Sequence, residues 1–338
     1  MTHPSQSTGE SIGAGPSAEQ PRVLVYNPIT TMPWSYDVER EDLAAAGADL
    51  VVPADPQEQR ALLATVDAVI LSGALPRADL DALTRCCGIC CYSVGMDGVD
   101  GQRAAELGIA VSNVPDYCTE EVSDHGVALL LALQRVVVPF AIAGAAGQWD
   151  VRGLPEFYRM RRLAGQTVGV IGAGRIGSRL AAKCRGLGMT TISHDPDPAT
   201  EQEGLPRVGL VELAERSDAV VLCAALTPGG RHLIDAEFLS HVRPHVLLVN
   251  VARGPFIDER ALAEALNSGR LRGAALDVRE VEPTDPATDP LLSAPNVLLT
   301  QHVASSSIDS TADIHRLAAG RVIELLRAAG RLPQQHAA

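Results

Sequence analysis

Three polar residues stand just past three apolar runs in the second half of the chain. Arg253 follows His245 to Asn250 (HVLLVN) through Val251 and Ala252. Glu282 follows Gly273 to Asp277 (GAALD) through the loop Val278 to Val281, and His302 follows Val297 to Thr300 (VLLT) through Gln301. Read as parallel strands, these runs put all three side chains at the carboxyl edge, where open α/β sheets bind ligands. Arginine can hold a carboxylate with two parallel hydrogen bonds. Histidine exchanges a proton near neutral pH, and a neighbouring glutamate favours its charged form. The set suits hydride transfer to the carbonyl of a 2-oxo acid, where something must protonate the oxygen as negative charge develops. Each residue alone also has an ordinary reading: Arg253 at a helix C-terminus, Glu282 in a solvated loop, His302 satisfied in a core. Three together at adjacent strand ends weaken those readings. Among the other histidines, His194 adjoins Asp195, and His241 and His245 flank Pro244 ahead of a strand, on the opposite edge.

The hydride needs a carrier, and one stretch predicts where it binds. Thr167 to Ile171 reads as a short buried strand, followed at once by Gly172-Ala173-Gly174-Arg175-Ile176-Gly177 and a helix. That order is the context a dinucleotide fingerprint requires. Gly172 permits the tight turn, Gly174 lets backbone approach a pyrophosphate, and Gly177 lets helix pack closely on strand. The helix N-terminus then points free N–H groups at the phosphates. Asp195 closes the next apolar run, 18 residues past Gly177, where a carboxylate binds the adenosine ribose hydroxyls and repels a 2′-phosphate. NAD is therefore expected over NADP.

The elements that must position these groups alternate along the chain. Arg22 to Tyr26, Asp49 to Val52, Ala68 to Leu71, Gly88 to Tyr92 and Ile109 to Ser112 read as strands. Helices over Val38 to Ala46, Pro56 to Val66, Ala78 to Arg85 and Gly101 to Leu107 separate them. Alternation predicts a parallel sheet covered on both faces. This first domain has no glycine fingerprint and is expected to carry substrate, with Ser93-Val94-Gly95-Met96-Asp97 at a strand end as either an anion nest or an ordinary turn. A long apolar helix from Val122 to about Ala146 follows, capped by Thr119 and kinked at Pro139. Its surplus apolar surface predicts a partner subunit or burial in its own domain. After Asp195 the alternation resumes and ends in a helix from Asp309 to Ala329.

Composition bounds the rest. The 338 residues carry a formal charge of −13, which argues against nucleic acid and anionic membranes. No run of about 20 apolar residues predicts a membrane span. Residues 1–20 read as a disordered tail and Trp149 to Leu163 as an Arg-rich bridge. Seven cysteines, an odd count without a signal pattern, fit a reducing cytoplasm. Cys87-Gly88-Ile89-Cys90 is formally a CxxC, but no second ligand pair lies near it, so no metal is expected and the thiols read as small core hydrophobes.

VGVIGAGRIG, NVARGPFID, GAALDVREVEP and NVLLTQHVAS, with YSVGMDGVD and NVPDYCTEEVSDH upstream, resemble the D-isomer-specific 2-hydroxyacid dehydrogenase family over about Val23 to Leu326. The branch is similar to bacterial relatives of the C-terminal-binding proteins and of phosphoglycerate dehydrogenase. The resemblance implies two doubly wound parallel-sheet α/β domains, a Rossmann NAD-binding domain (114–302) inserted in a flavodoxin-like substrate domain (21–113 and 303–330). It implies that Arg253 binds and polarises substrate, that His302 donates the proton and that Glu282 pairs with His302. Arg175 and Ile176 would contact the pyrophosphate and Asp277 the nicotinamide carboxamide. Cys223, Ala224, Ala225, Thr227, Val251, Ala252, His302 and Ser305 would line the cofactor. Val94 and Gly95 would face the substrate, and the long helix would carry a homodimer interface.

Three departures bear on the substrate. Gln301 replaces a usual Pro, Ser93 the first glycine of the substrate loop, and Cys223 and Ala225 a common His and Pro. None removes a catalytic group, but all reshape the pocket. Two other readings stand beside an NAD-dependent D-2-hydroxyacid dehydrogenase: an NAD(H)-sensing interaction protein, and a dehydrogenase of another small anion such as phosphite. Formate is disfavoured because that branch carries Gln where Glu282 stands.

Overall fold

The computed structural model describes residues 20–29, 34–150, 160–197 and 204–334. The expected tail over 1–20, but for Gln20, and most of the expected bridge over Trp149 to Leu163 lie outside them. Two compact units form: Met1–Val114 with His315–Ala338, and Pro115–Ile314. The second division falls inside the last helix, not just after His302.

The first unit is built on β1 (Arg22–Tyr26), β2 (Asp49–Val51), β3 (Ala68–Leu71), β4 (Gly88–Cys91) and β5 (Ala110–Asn113). All pairs are parallel and the order is β2-β1-β3-β4-β5, the flavodoxin-like arrangement. Val23, Leu24, Val25, Val69, Ile70 and Ile89 are fully buried, which is why these strands read as unbroken apolar runs. Helix α1 (Asp37–Ala46) ends at Gly47, whose φ of 89° closes the last turn. Helix α2 (Pro56–Leu62) stops before Val66, its end tightened to a 3-10 turn over Leu63–Thr65. Helices α3 (Arg77–Asp81) and α4 (Gly101–Glu106) complete the alternation. All seven cysteines are free, and four of them flank or lie in β4. Burial pushes the thiols of Cys86 and Cys90 up to about 12, so they are inert packing groups.

The second unit opens with α5 (Thr119–Gln134) and α6 (Val137–Ala145). The sequence reading of one helix kinked at Pro139 is corrected here. The chain breaks at Val136, with φ of 55°, and bends by 65°. A continuous helix would lose the bond from residue 139 to Arg135 and drive the ring into that carbonyl. Restarting at Val137 places Pro139 in a first turn, where no N–H is needed. Arg272 donates to the Gln134 side chain and carbonyl and so covers the end of α5. Thr119 is not the cap: Cys118 holds that position without a side-chain bond. No single helix among the described residues is long and apolar enough to cross a membrane, though α5 and α6 together pass that test by length and composition.

Six parallel strands follow: β6 (Thr167–Ile171), β7 (Thr190–His194), β8 (Ala219–Leu222), β9 (Leu247–Asn250), β10 (Gly273–Leu276) and β11 (Val297–Leu299). The order is β11-β10-β9-β8-β6-β7. The direction of winding reverses at β6, between β7 and β8, and that crevice is where such sheets bind nucleotides. Helices α7 (Arg175–Gly186), α8 (Leu210–Arg216), α9 (Ala236–His241) and α10 (Glu259–Asn267) cover the faces. On α10, Ala261, Leu262, Ala265 and Leu266 are buried at helical spacing, which seats it on the sheet. Helix α11 (Ile308–Ala328) closes the chain.

Candidate active site

Strands β9, β10 and β11 are neighbours, so Arg253, Glu282 and His302 leave the carboxyl ends of three adjacent strands. His302 Nδ1 lies 2.7 Å from Glu282 Oε2. The hydrogen bond to Glu282 raises the His302 pKa above its ordinary value, against burial and against the nearby charge of Arg253. Burial opposes the Glu282 charge, but the bonds from His302 and from the Arg279 N–H outweigh it and hold that carboxyl low. The contact thus favours an imidazolium beside a carboxylate, and it leaves Nε2 outside the pair.

Each member is set by backbone chemistry. Asn250, fully buried at the end of β9, accepts from the Ala252 N–H at 2.9 Å and donates to the Arg253 carbonyl at 2.9 Å. This side-chain turn fixes the backbone at the half-buried Arg253, whose Nη1 donates to the Ala252 carbonyl at 2.8 Å. His302 sits at φ of 55°, a left-handed conformation uncommon for histidine. Asp277 enforces it. Its carbonyl accepts the His302 N–H at 2.8 Å, and its carboxylate accepts from Thr300 Oγ1, Val303 N–H and Ala304 N–H at 2.6, 3.0 and 2.9 Å. His125 of α5 stands 3.2 Å from Thr300 Oγ1 and 3.4 Å from the same carboxylate. Asp277 is 1% exposed, so the residue expected at the nicotinamide is first the hub of the histidine loop. Asn250, His125 and the hub role of Asp277 were not read from the sequence. The Asn that ends β9 and the Asp directly after β10 were the available signal.

The fingerprint has the conformation dinucleotide binding needs. Gly172 has φ of 93°, and a Cβ there would fall 2.5 Å from the Ala224 backbone. Cys223 and Ala224, at the end of β8, thus border the turn. A Cβ on Gly177 would lie 1.9 Å from the Gly172 carbonyl oxygen, so α7 packs on β6 as closely as backbone allows. In front of Gly174 nothing lies within 4 Å. Gly174 is also the helix N-cap and offers no side chain, leaving the first N–H groups of α7, at Arg175 and Ile176, for an anion. Asp195 Oδ2 accepts the Ala173 N–H at 2.7 Å and Oδ1 the Asp197 N–H at 2.9 Å. Each oxygen keeps a lone pair for a ribose hydroxyl. The residues present fit NAD. Ala225 and Thr227 follow in the β8 loop, Val251 and Ala252 are buried beside β9, and Ser305 follows the histidine loop, its carbonyl taken by Ser310. In the first unit Val94 and Gly95 follow β4, and their carbonyls are held by Asn113 and Ser93.

Comparison with known proteins agrees with this geometry. Residues 127–304 match the NAD binding domain of the D-isomer specific 2-hydroxyacid dehydrogenases. A glyoxylate reductase of Pyrococcus furiosus is 35% identical over 248 residues, 72% of this chain and 73% of that protein. A D-3-phosphoglycerate dehydrogenase of Methanocaldococcus jannaschii is 36% identical over 69% of this chain and 44% of its own. Among solved structures, an NADPH-dependent glyoxylate/hydroxypyruvate reductase of Sinorhizobium meliloti, in complex with NADP and malonate, superposes with a TM-score of 0.79 at 33% identity, covering 95% of this chain and 100% of that one.

Proposed function

The chain belongs to the D-isomer specific 2-hydroxyacid dehydrogenase family, and from that premise we propose that Arg253, His302 and Glu282 carry its reaction. The protein is an NAD-binding oxidoreductase that transfers hydride between NAD(H) and a 2-oxo or 2-hydroxy acid. The observation that carries the assignment is the 2.7 Å contact between His302 Nδ1 and Glu282 at the end of three adjacent strands. When bound, NADH supplies the hydride. Arg253 binds the substrate carboxylate and polarises the carbonyl. His302 gives its Nε2 proton to the oxygen as charge develops, and Glu282 keeps that proton available. In oxidation His302 takes the proton back. Gly172, Gly174, Arg175, Ile176 and Gly177 hold the pyrophosphate and Asp195 the ribose, which favours NAD over NADP. Cys223 to Thr227, Val251, Ala252 and Ser305 line the cofactor, and Asp277 its nicotinamide carboxamide.

The substrate is a short 2-oxo acid of the glyoxylate or hydroxypyruvate kind. The reductases that this chain matches at about a third identity support that reading. The working assembly is a homodimer. Helix α6 is almost wholly apolar yet buries no residue, and Val137, Val138 and Ile142 are 50%, 39% and 66% exposed. Val138 and Ile142, with Ala132, Leu133 and Pro139, line a groove of about 290 Å³ at the amino edge of β9 to β11, and a second copy of this helix fits that surface. Seven free cysteines support a reducing, cytoplasmic setting. A panel of 2-oxo acids with NADH, read by NADH absorbance, tests the assignment: turnover of short acids is expected, and no turnover of any 2-oxo acid contradicts it.

A further inference from the structure

The reaction above uses Glu282 and leaves a buried cation three residues before it without a role. The Arg279 side chain is 8% exposed, and each of its three guanidinium nitrogens donates to a carboxylate. Nε and Nη2 donate to Glu259 at 2.8 and 2.9 Å, and Nη1 and Nη2 donate to Asp289 at 2.8 Å each. Glu259 also accepts the Glu280 N–H at 2.8 Å. Burial works against the charge, but these bonds outweigh it and hold the guanidinium pKa above its ordinary value. One side chain thus ties the loop after β10 to the first residue of α10 and to the Asp289 turn. A lysine has no planar fork and cannot hold both carboxylates this way.

The backbone of the same residue reaches the reaction. The Arg279 N–H donates to Glu282 Oε1 at 2.7 Å, the oxygen not used by His302. Gly254, directly after Arg253, presses on the next peptide: a Cβ there would lie 1.8 Å from the Arg279 carbonyl oxygen and 2.4 Å from the Glu280 nitrogen. The Arg279–Glu280 peptide is therefore where the loop carrying Arg253 and the loop carrying Glu282 meet.

We propose that Arg279 is a positioning residue of this reaction: clamped by Glu259 and Asp289, it fixes the Arg279–Glu280 peptide so that Glu282 meets His302 in register with Arg253. The proposal rests on the reading that Glu282 holds the proton on His302. The charged groups acting on His302 are Glu282, Arg253 and Asp277. Arg279 reaches it through its grip on Glu282.

Because removing the fork strands two buried carboxylates, thermal stability falls whether or not Arg279 positions anything. The test is the pH profile of 2-oxo acid reduction in the full-length protein, for Arg279→Lys and, as a milder lesion, Glu259→Gln. Reduction needs protonated His302, so it fails as pH rises through the His302 pKa. In both variants that upper limit is expected to fall by about half to one pH unit. The kcat is expected to drop about tenfold, with NADH affinity held within about twofold. Arg279→Lys combined with Glu282→Gln should show the limit of Glu282→Gln alone, since both act on one contact. Folded Arg279→Lys and Glu259→Gln proteins with the parent's limit overturn the proposal and leave the clamp purely structural. An unchanged limit in Glu282→Gln itself overturns both the proposal and the proton-holding reading beneath it.

Discussion

Gly174 and Gly177 are the second and third glycines of the fingerprint motif, and the structure assigns them opposite sensitivities. At Gly177 an added methyl would lie 1.9 Å from the Gly172 carbonyl oxygen and 3.0 Å from Val170 Cγ1. Neither neighbour is a flexible tip, so α7 must lift from β6. Overpacking of this kind costs about 1–3 kcal/mol. At Gly174 the backbone has φ of −65° and ψ of −164°, an extended conformation open to any residue, and a methyl meets nothing within 4 Å. Alanine there gains about 0.4–1 kcal/mol from unfolded-chain entropy. It loses a comparable amount as a poorer N-cap. The cofactor-free protein should therefore melt near the parent's temperature. The same methyl stands where the pyrophosphate must approach, so NADH affinity should fall at least about tenfold, or about 1.4 kcal/mol. Thermal melts with and without NADH, with a fluorescence titration, separate the two effects. Gly174→Ala should lose the melting shift that NADH confers while keeping the cofactor-free value, whereas Gly177→Ala should lose both. Normal NADH binding by Gly174→Ala would refute the placement of the pyrophosphate, and an undiminished melting temperature for Gly177→Ala would refute the packing argument.

Replacing Asp195 with Ala should narrow the preference for NADH over NADPH, read as the ratio of kcat/KM values; equal ratios in the parent would remove the ribose assignment. Glu282→Gln removes the charge that raises the His302 pKa, so the pH above which reduction fails should move down; an upward move would show the sign of the coupling to be wrong. Ile142→Arg on α6 should shift the mass seen by light scattering from dimer to monomer, and a parent that is monomeric and fully active at micromolar concentration would rule out the α6 interface.

Where burial and local geometry decide structure, the sequence was readable. β6 spans Thr167–Ile171 and β3 Ala68–Leu71 as read, because apolar runs bounded by glycine or polar residues leave the chain little choice. Arg253, Glu282 and His302 were legible because strand ends in a parallel sheet fall on one edge. What escaped depends on contacts distant in sequence. The break at Val136 follows from a proline three residues on and from Arg272 waiting at the end of α5. Thr119 has a capping residue's chemistry, yet the helix begins one residue earlier than a threonine cap requires. The grip of Asp277 on the histidine loop and the double clamp on Arg279 join residues whose pairing no local pattern records.

The central claim is that His302 supplies the proton, and His302→Ala tests it most directly. The account predicts kcat for 2-oxo acid reduction lower by roughly 10²–10⁴-fold, with NADH binding nearly unchanged because the fingerprint and Asp195 lie elsewhere on the sheet edge. Near-parental turnover in His302→Ala, with NADH bound as before, would contradict it.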